Sequence, residues 1–307
     1  MIKELLAKYK NGNYIVKLYS DGTKIRFSLE NELIADFPDN MDVKITEKCS
    51  QNCPFCYESC TLEGRHAELF TQDGSPKYNW MNHLHSGTEM ALNGNDLDHP
   101  ELTEFLHFLK NKGVISNITV NQNQFMNNRG FIESLLNEKL IYGLGISLVN
   151  PCEEFLDLLT EPLFKNTVIH TILGITTIPT YQMLENRNLN VLVLGYKTKG
   201  RGVKFKDFIF DKITDFVGYI KSVHGSDKFK ALTFDNLACD QLNLKENLFK
   251  DNVKEWDMLY QGDDGSHTFY LDLVHGEFAK DSTQPSENMK AIGNLTCEEM
   301  MKIVKNS

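Results

Sequence analysis

The chain predicts an α/β fold built from parallel βαβ units, and three observations carry that reading. From residue 42 onward, short β-type runs alternate with helical segments. At 307 residues, with 41% hydrophobic and 24% charged residues, the chain can bury one large α/β domain, or a barrel with small additions at its ends. No apolar run approaches the length of a membrane span.

Residues 1–40 read as a small addition before the core. The runs 13–19 and 23–28 alternate apolar and polar residues around Asp21-Gly22, a strong hairpin signal. The core β runs are 42–46, 88–92, 117–120, 143–148, 168–176 and 190–194, with a seventh near 231–234. Helices are expected between them at about 77–85, 100–112, 129–139, 152–160, 180–187 and 205–223. Pro100 suits the first position of its helix, and Phe208, Ile209, Ile213, Phe216, Ile220 and Val223 form an apolar stripe on the last. Six or seven such units fit a partial barrel or an open doubly wound sheet. Either fold places its active site at the C-terminal ends of the strands. In the tail, Gly262-Asp263-Asp264-Gly265 is a turn, 266–274 and 277–279 flank His275-Gly276 as a hairpin, and a helix near 297–304 follows. There are no tandem repeats and no low-complexity segment.

The net charge of −10 argues against nucleic acid as a partner, though it leaves room for a local basic patch. The first residues, Met1-Ile2-Lys3-Glu4-Leu5-Leu6, lack the apolar core of a signal peptide, so a cytoplasmic protein with no membrane partner is expected. Of the seven cysteines, four crowd into positions 49–60. An odd number in such a compartment reads as a metal or cluster site before it reads as a disulfide framework.

The crowded stretch is Cys49-Ser50-Gln51-Asn52-Cys53-Pro54-Phe55-Cys56, directly after the first core strand. Three cysteines at C-x3-C-x2-C can wrap one cubane, giving a thiolate to each of three irons and leaving the fourth iron open. An open position suits a catalytic site. Zinc is the competing reading, with Cys60 or His66 as a fourth ligand, but the paired C-x2-C knuckles of closed zinc sites have no second member here.

The spacing resembles the signature of the radical S-adenosylmethionine (SAM) superfamily, over about residues 41–202. The resemblance implies a [4Fe–4S] cluster on Cys49, Cys53 and Cys56 whose open iron chelates SAM. It also implies reductive cleavage to a 5′-deoxyadenosyl radical, which takes a hydrogen atom from the substrate. Phe55, before the third cysteine, matches the family's aromatic, expected near the adenine or the cluster. Asn93-Gly94-Asn95, ahead of His99-Pro100, falls where the family often has Gly-Gly-Glu, which accepts from the SAM amino group; here the carboxylate is replaced by an amide. Asn121 and Asn123 after the third strand, Ser147 at the end of the fourth and Lys197 after the sixth complete the implied SAM pocket. An electron donor such as a flavodoxin or ferredoxin is implied as well.

His170, inside the fifth strand, reads as a hydrogen-bonded core residue. Asp235 and Cys239, near the seventh strand end, are candidates for moving a proton and donating a hydrogen atom to a substrate radical. The tail is similar in its hairpin rhythm to the SPASM-type extensions of radical SAM peptide maturases, but it lacks their cysteines, so no auxiliary cluster is expected. The resulting expectation has three parts: an N-terminal hairpin (1–40), a partial (β/α)6 barrel (41–225) and a C-terminal α+β extension (226–307). The expected activity is radical SAM chemistry on a peptide or protein. The alternatives are a small metabolite or nucleoside substrate, or a non-catalytic zinc- or cluster-binding protein.

Overall fold

The computed structural model describes residues 3–93, 96–260 and 262–306. Three strands, β1 (Leu5–Asn11), β2 (Tyr14–Tyr19) and β3 (Lys24–Phe27), form an antiparallel N-terminal sheet in that order. The Asp21-Gly22 turn joins β2 to β3 as the sequence predicts. The third strand, β1, lies beyond the predicted hairpin.

A second sheet has ten strands. Seven run in sequence order: β4 (Asn40–Lys44), β5 (Glu89–Asn93), β6 (Ile115–Asn121), β7 (Gly143–Ser147), β8 (Val168–Ile172), β9 (Asn190–Leu194) and β10 (Ala231–Phe234), every neighbouring pair parallel. Between them lie helices α1 (Leu102–Asn111), α2 (Gln122–Asn127), α3 (Arg129–Asn137), α4 (Glu153–Leu158), α5 (Ile178–Leu184) and α6 (Lys206–Val223). The run 77–85, predicted helical, holds only a 3-10 turn at Asn79–His83. After β10 come α7 (Asn236–Gln241), α8 (Leu244–Leu248) and α9 (Val253–Leu259). The predicted tail hairpin forms from β11 (Thr268–Asp272) and β12 (Glu277–Ala279), but β11 also pairs parallel with β4 on the side away from β5. β13 (Lys290–Ala291) adds to β12, and α10 (Cys297–Lys305) follows. The tail is thus hydrogen-bonded into the main sheet.

Sequential order means every crossover from β4 to β10 moves the same way, and right-handed crossovers then stack their helices on one face. That face is apolar: Met41, Val43, Met90, Leu92, Ile118 and Val120 are buried in one core with Leu102, Phe105, Leu106 and Leu109 of α1. The alternate residues, pointing the other way, are polar or small and only partly buried, among them Asn93, Asn117, Thr119, Ser147 and His170. Parallel sheets usually bury both faces in apolar side chains. Asp42 on this second face reaches solvent, yet the protein packed around it raises its carboxyl pKa.

Candidate metal centre on the cysteine loop

The cysteine segment leaves β4 at its C-terminal end and folds back on itself. Glu47 N donates to Arg65 O (2.8 Å), Cys49 N to Thr61 O (2.8 Å), Thr61 N to Glu47 O (3.1 Å) and Ala67 N to Ile45 O (2.8 Å). Cys49, Cys53, Cys56 and Cys60 all lie inside the loop so closed. Gly64 is required at the return, because a Cβ there would sit 2.0 Å from Glu47 O. The base of the loop is fixed by Lys44, buried on β4. Its ammonium meets Glu47 (3.0 Å), Glu58 (2.9 Å) and Asp272 of β11 (2.9 Å). Burial alone would lower the Lys44 pKa, but the Glu58 and Asp272 carboxylates outweigh it and hold the ammonium charged. Tyr270 of β11 donates to Glu58 at 3.1 Å.

Loops from distant strands converge on this segment. Arg201, after β9, donates from Nε to Cys53 O (2.9 Å), from a terminal guanidinium nitrogen to Cys60 O (3.0 Å) and from its backbone N to Cys56 O (3.0 Å). Gly200, at φ +54°, lets the chain pass there, since a Cβ would lie 2.3 Å from Tyr57 O. Lys197 stands 4.0 Å over the Tyr57 ring and donates to Ser282 Oγ (2.7 Å). Asn123, after β6, donates to Gln51 Oε1 at 2.8 Å.

Cys49, Cys53 and Cys56 are half-buried and Cys60 is buried; all are free thiols. Burial raises the Cys49 and Cys53 pKa values, and the charge of Cys56 adds to both; Cys53 also feels Cys49. The three thiols therefore share one electrostatic neighbourhood. A hydrogen bond from the Cys60 thiol pulls Cys56 down to about 6 against the effect of burial, with help from backbone donors and Arg201, and raises Cys60 in turn. Among the described residues, no three His, Cys, Asp or Glu side chains stand in the arrangement of a formed metal site. What fits a cluster is the donor set, three accessible thiols on one short loop with a guanidinium beside them. The side-chain oxygen of Asn93, at the end of the neighbouring strand β5, is buried and has no hydrogen-bond partner among the described residues, which suits an acceptor awaiting a donor.

The other sequence-predicted residues divide. Phe55 is half-buried in the loop, its carbonyl beside Gly202. Gly94 and Asn95 lie outside the described residues. Asn121 caps α2, its oxygen accepting from Gln124 N (2.9 Å). Ser147 lies in register between Asn121 and His170 on the polar face. His170, half-buried and held neutral with its pKa pushed down to about 4 by burial, lies across Gly145. Asp235 caps α7, accepting from Ala238 N (2.7 Å) and Gly195 N (2.8 Å). Cys239, raised to about 11 by burial, lines an apolar cavity of about 500 Å³ with Phe249, Trp256 and Tyr260. That cavity and a second of about 390 Å³ beneath β1 are both lined by residues away from the cysteine loop. His66 bonds Thr46 through Nδ1 (2.9 Å). Sequence reasoning passed over Lys44, Glu58 and Arg201. Of the three, Arg201 carries a local signal, since it ends the cation-rich run Lys197-Thr198-Lys199-Gly200-Arg201 after β9, and a guanidinium's fork of fixed donors suits bridging several carbonyls.

No protein-family model matches the chain, and no curated protein is detectably similar to it.

Proposed function

We propose that the chain is a radical SAM enzyme that binds a [4Fe–4S] cluster through Cys49, Cys53 and Cys56 and acts on a peptide or protein. The observation that carries the reading is the placement of three half-buried thiols on one closed loop at the C-terminal end of the first strand of a parallel sheet, where α/β enzymes hold their sites. Bound there with SAM and reduced by a flavodoxin- or ferredoxin-like donor, the cluster would supply a 5′-deoxyadenosyl radical for hydrogen abstraction. Arg201 holds the loop by its carbonyls and keeps positive charge beside the thiols. Asn93 offers its buried oxygen to an ammonium or hydroxyl donor. Asp42, Thr119 and His170 on the polar face orient substrate, with His170 neutral at physiological pH.

A curled, partly closed barrel is the shape this reading needs, and loop contacts support it. Lys197 and Ser282 each follow a strand by three residues, and their strands, β9 and β12, stand seven places apart in the sheet order. Laid flat at ~4.8 Å per strand, the strands would be roughly 34 Å apart. Two three-residue leads reach about 20 Å at full stretch, and one lysine side chain does not cover the remainder. The Asp42 carboxyl likewise feels Lys197 and Asp235, which follow β9 and β10.

The test is anaerobic incubation of the reconstituted chain with SAM and dithionite. Formation of 5′-deoxyadenosine by the wild type and its loss in Cys53→Ala is the expected result; no cleavage by a fully loaded chain counts against the proposal. A second reading, a four-thiolate zinc site, is favoured by one observation, the Cys60 thiol bonded to Cys56. It predicts tightly held zinc and no SAM cleavage.

A further inference from the structure

The outer face of the N-terminal sheet carries two cross-strand rows: Lys10, Ile15 and Phe27 in one, and Lys8, Lys17 and Ile25 in the other. All six side chains are exposed, Phe27 by 59% and Ile25 by 46%. The opposite face, with Tyr14, Val16 and Leu18, is buried. Residues 3–27 hold six Lys and Arg against two Asp and Glu, in a chain of net charge −10. The other cations of this sheet have partners: Lys3 pairs with Asp21, Lys24 with Glu89 and Arg26 with Asp39. Lys8, Lys10 and Lys17 meet no carboxylate among the described residues, and Lys8 stands directly opposite Lys17 across the β1–β2 pair. Like charges so placed destabilise a sheet unless an anion lies over them.

We propose that this face docks an acidic amphipathic helix of a partner polypeptide. Its apolar stripe covers Ile15, Ile25 and Phe27, and its carboxylates lie over Lys8, Lys10 and Lys17. A sheet face bearing an apolar strip is completed by a second layer, and a helix with a charged flank beside its stripe meets both halves of this one. An anionic lipid surface fits less well. A membrane is extended and would also press on the neighbouring loop, where Glu30, Glu32 and Asp36 repel it, whereas a single helix covers only the two rows. The docking face is separate from the cysteine loop and holds whatever chemistry that loop performs.

Fluorescence anisotropy on the full chain tests it. The probe is a labelled helical peptide of about 16 residues, long enough to hold a helix once docked, with leucines on one stripe and glutamates on its flank. Salt-sensitive binding is expected, weakened about tenfold or more by Lys8→Glu with Lys17→Glu and unchanged by Lys254→Glu, at an exposed lysine of α9. Circular dichroism would verify that the variants stay folded. Equal binding of a peptide with lysines in place of the glutamates, indifference to the charge reversals, or binding only to phosphatidylserine-containing vesicles would each overturn the proposal.

Discussion

Lys44 concentrates more of the cysteine loop's architecture than any cysteine does. Its side chain is 4% exposed and holds Glu47, Glu58 and Asp272 together, so the loop, β4 and β11 share one buried cation. Removing it strands buried carboxylates without a counter-charge, a change that commonly costs ~3–5 kcal/mol. Lys44→Met should lower the urea midpoint accordingly and expose Cys60 to alkylation; a variant as stable as wild type would show that the network contributes little. Sequence order conveyed the cysteines because their spacing is local. It did not convey Lys44, whose partners Glu58 and Asp272 stand 14 and 228 residues away and meet only through the β4–β11 pairing. Asn121 and Asp235 show the converse. Their position at strand ends was legible, but the same backbone geometry makes both of them helix caps.

At the level of elements, strands were easier to read than their neighbours. Each core β run became a strand because alternation and β-branched content are local signals. The run 77–85 has apolar residues at helical spacing but no side-chain cap at its start, and it makes only a 3-10 turn that buries Trp80 and Met81. β1 escaped notice because it is stabilised by pairing with β2 and its outward residues include lysines. α10 is the element with the fullest local signal: Thr296 and Glu299 form a capping box, and Cys297, Met300, Met301 and Val304 make its buried stripe. Thr296→Ala should cost about 1 kcal/mol, read as a lowered thermal midpoint. No change would mean that packing alone holds the helix.

For the whole molecule, the sequence conveyed the α/β class and the parallel order, while the joining of the tail to β4 depends on long-range pairing that no local pattern carries. Stability of the whole should also depend on pH. His170 and His267 are neutral in the folded chain, burial pushing each down to about 4, whereas an unfolded histidine titrates near 6.5. Below that pH the unfolded chain takes up protons that the folded one refuses. Stability should therefore fall as pH drops from about 6.5 toward 4, by up to about 1.4 kcal/mol per pH unit for each histidine. Asp39 adds a later loss. Burial raises it, but Arg26, Asn11 and Lys24 together outweigh burial and hold it low, so its contribution disappears as pH falls below the ordinary carboxylate range near 4. Urea unfolding at pH 7.5 and pH 5 measures the effect, and equal stabilities at the two values would contradict it.

Metal content after anaerobic reconstitution tests the central claim most directly. With iron and sulfide supplied, the wild type should hold about four irons and four sulfides per chain with broad visible absorption. Cys49→Ala, Cys53→Ala or Cys56→Ala should each lose most of that iron, and Cys60→Ala should keep it. A single zinc per chain, released by Cys60→Ala as readily as by Cys53→Ala, would contradict the account.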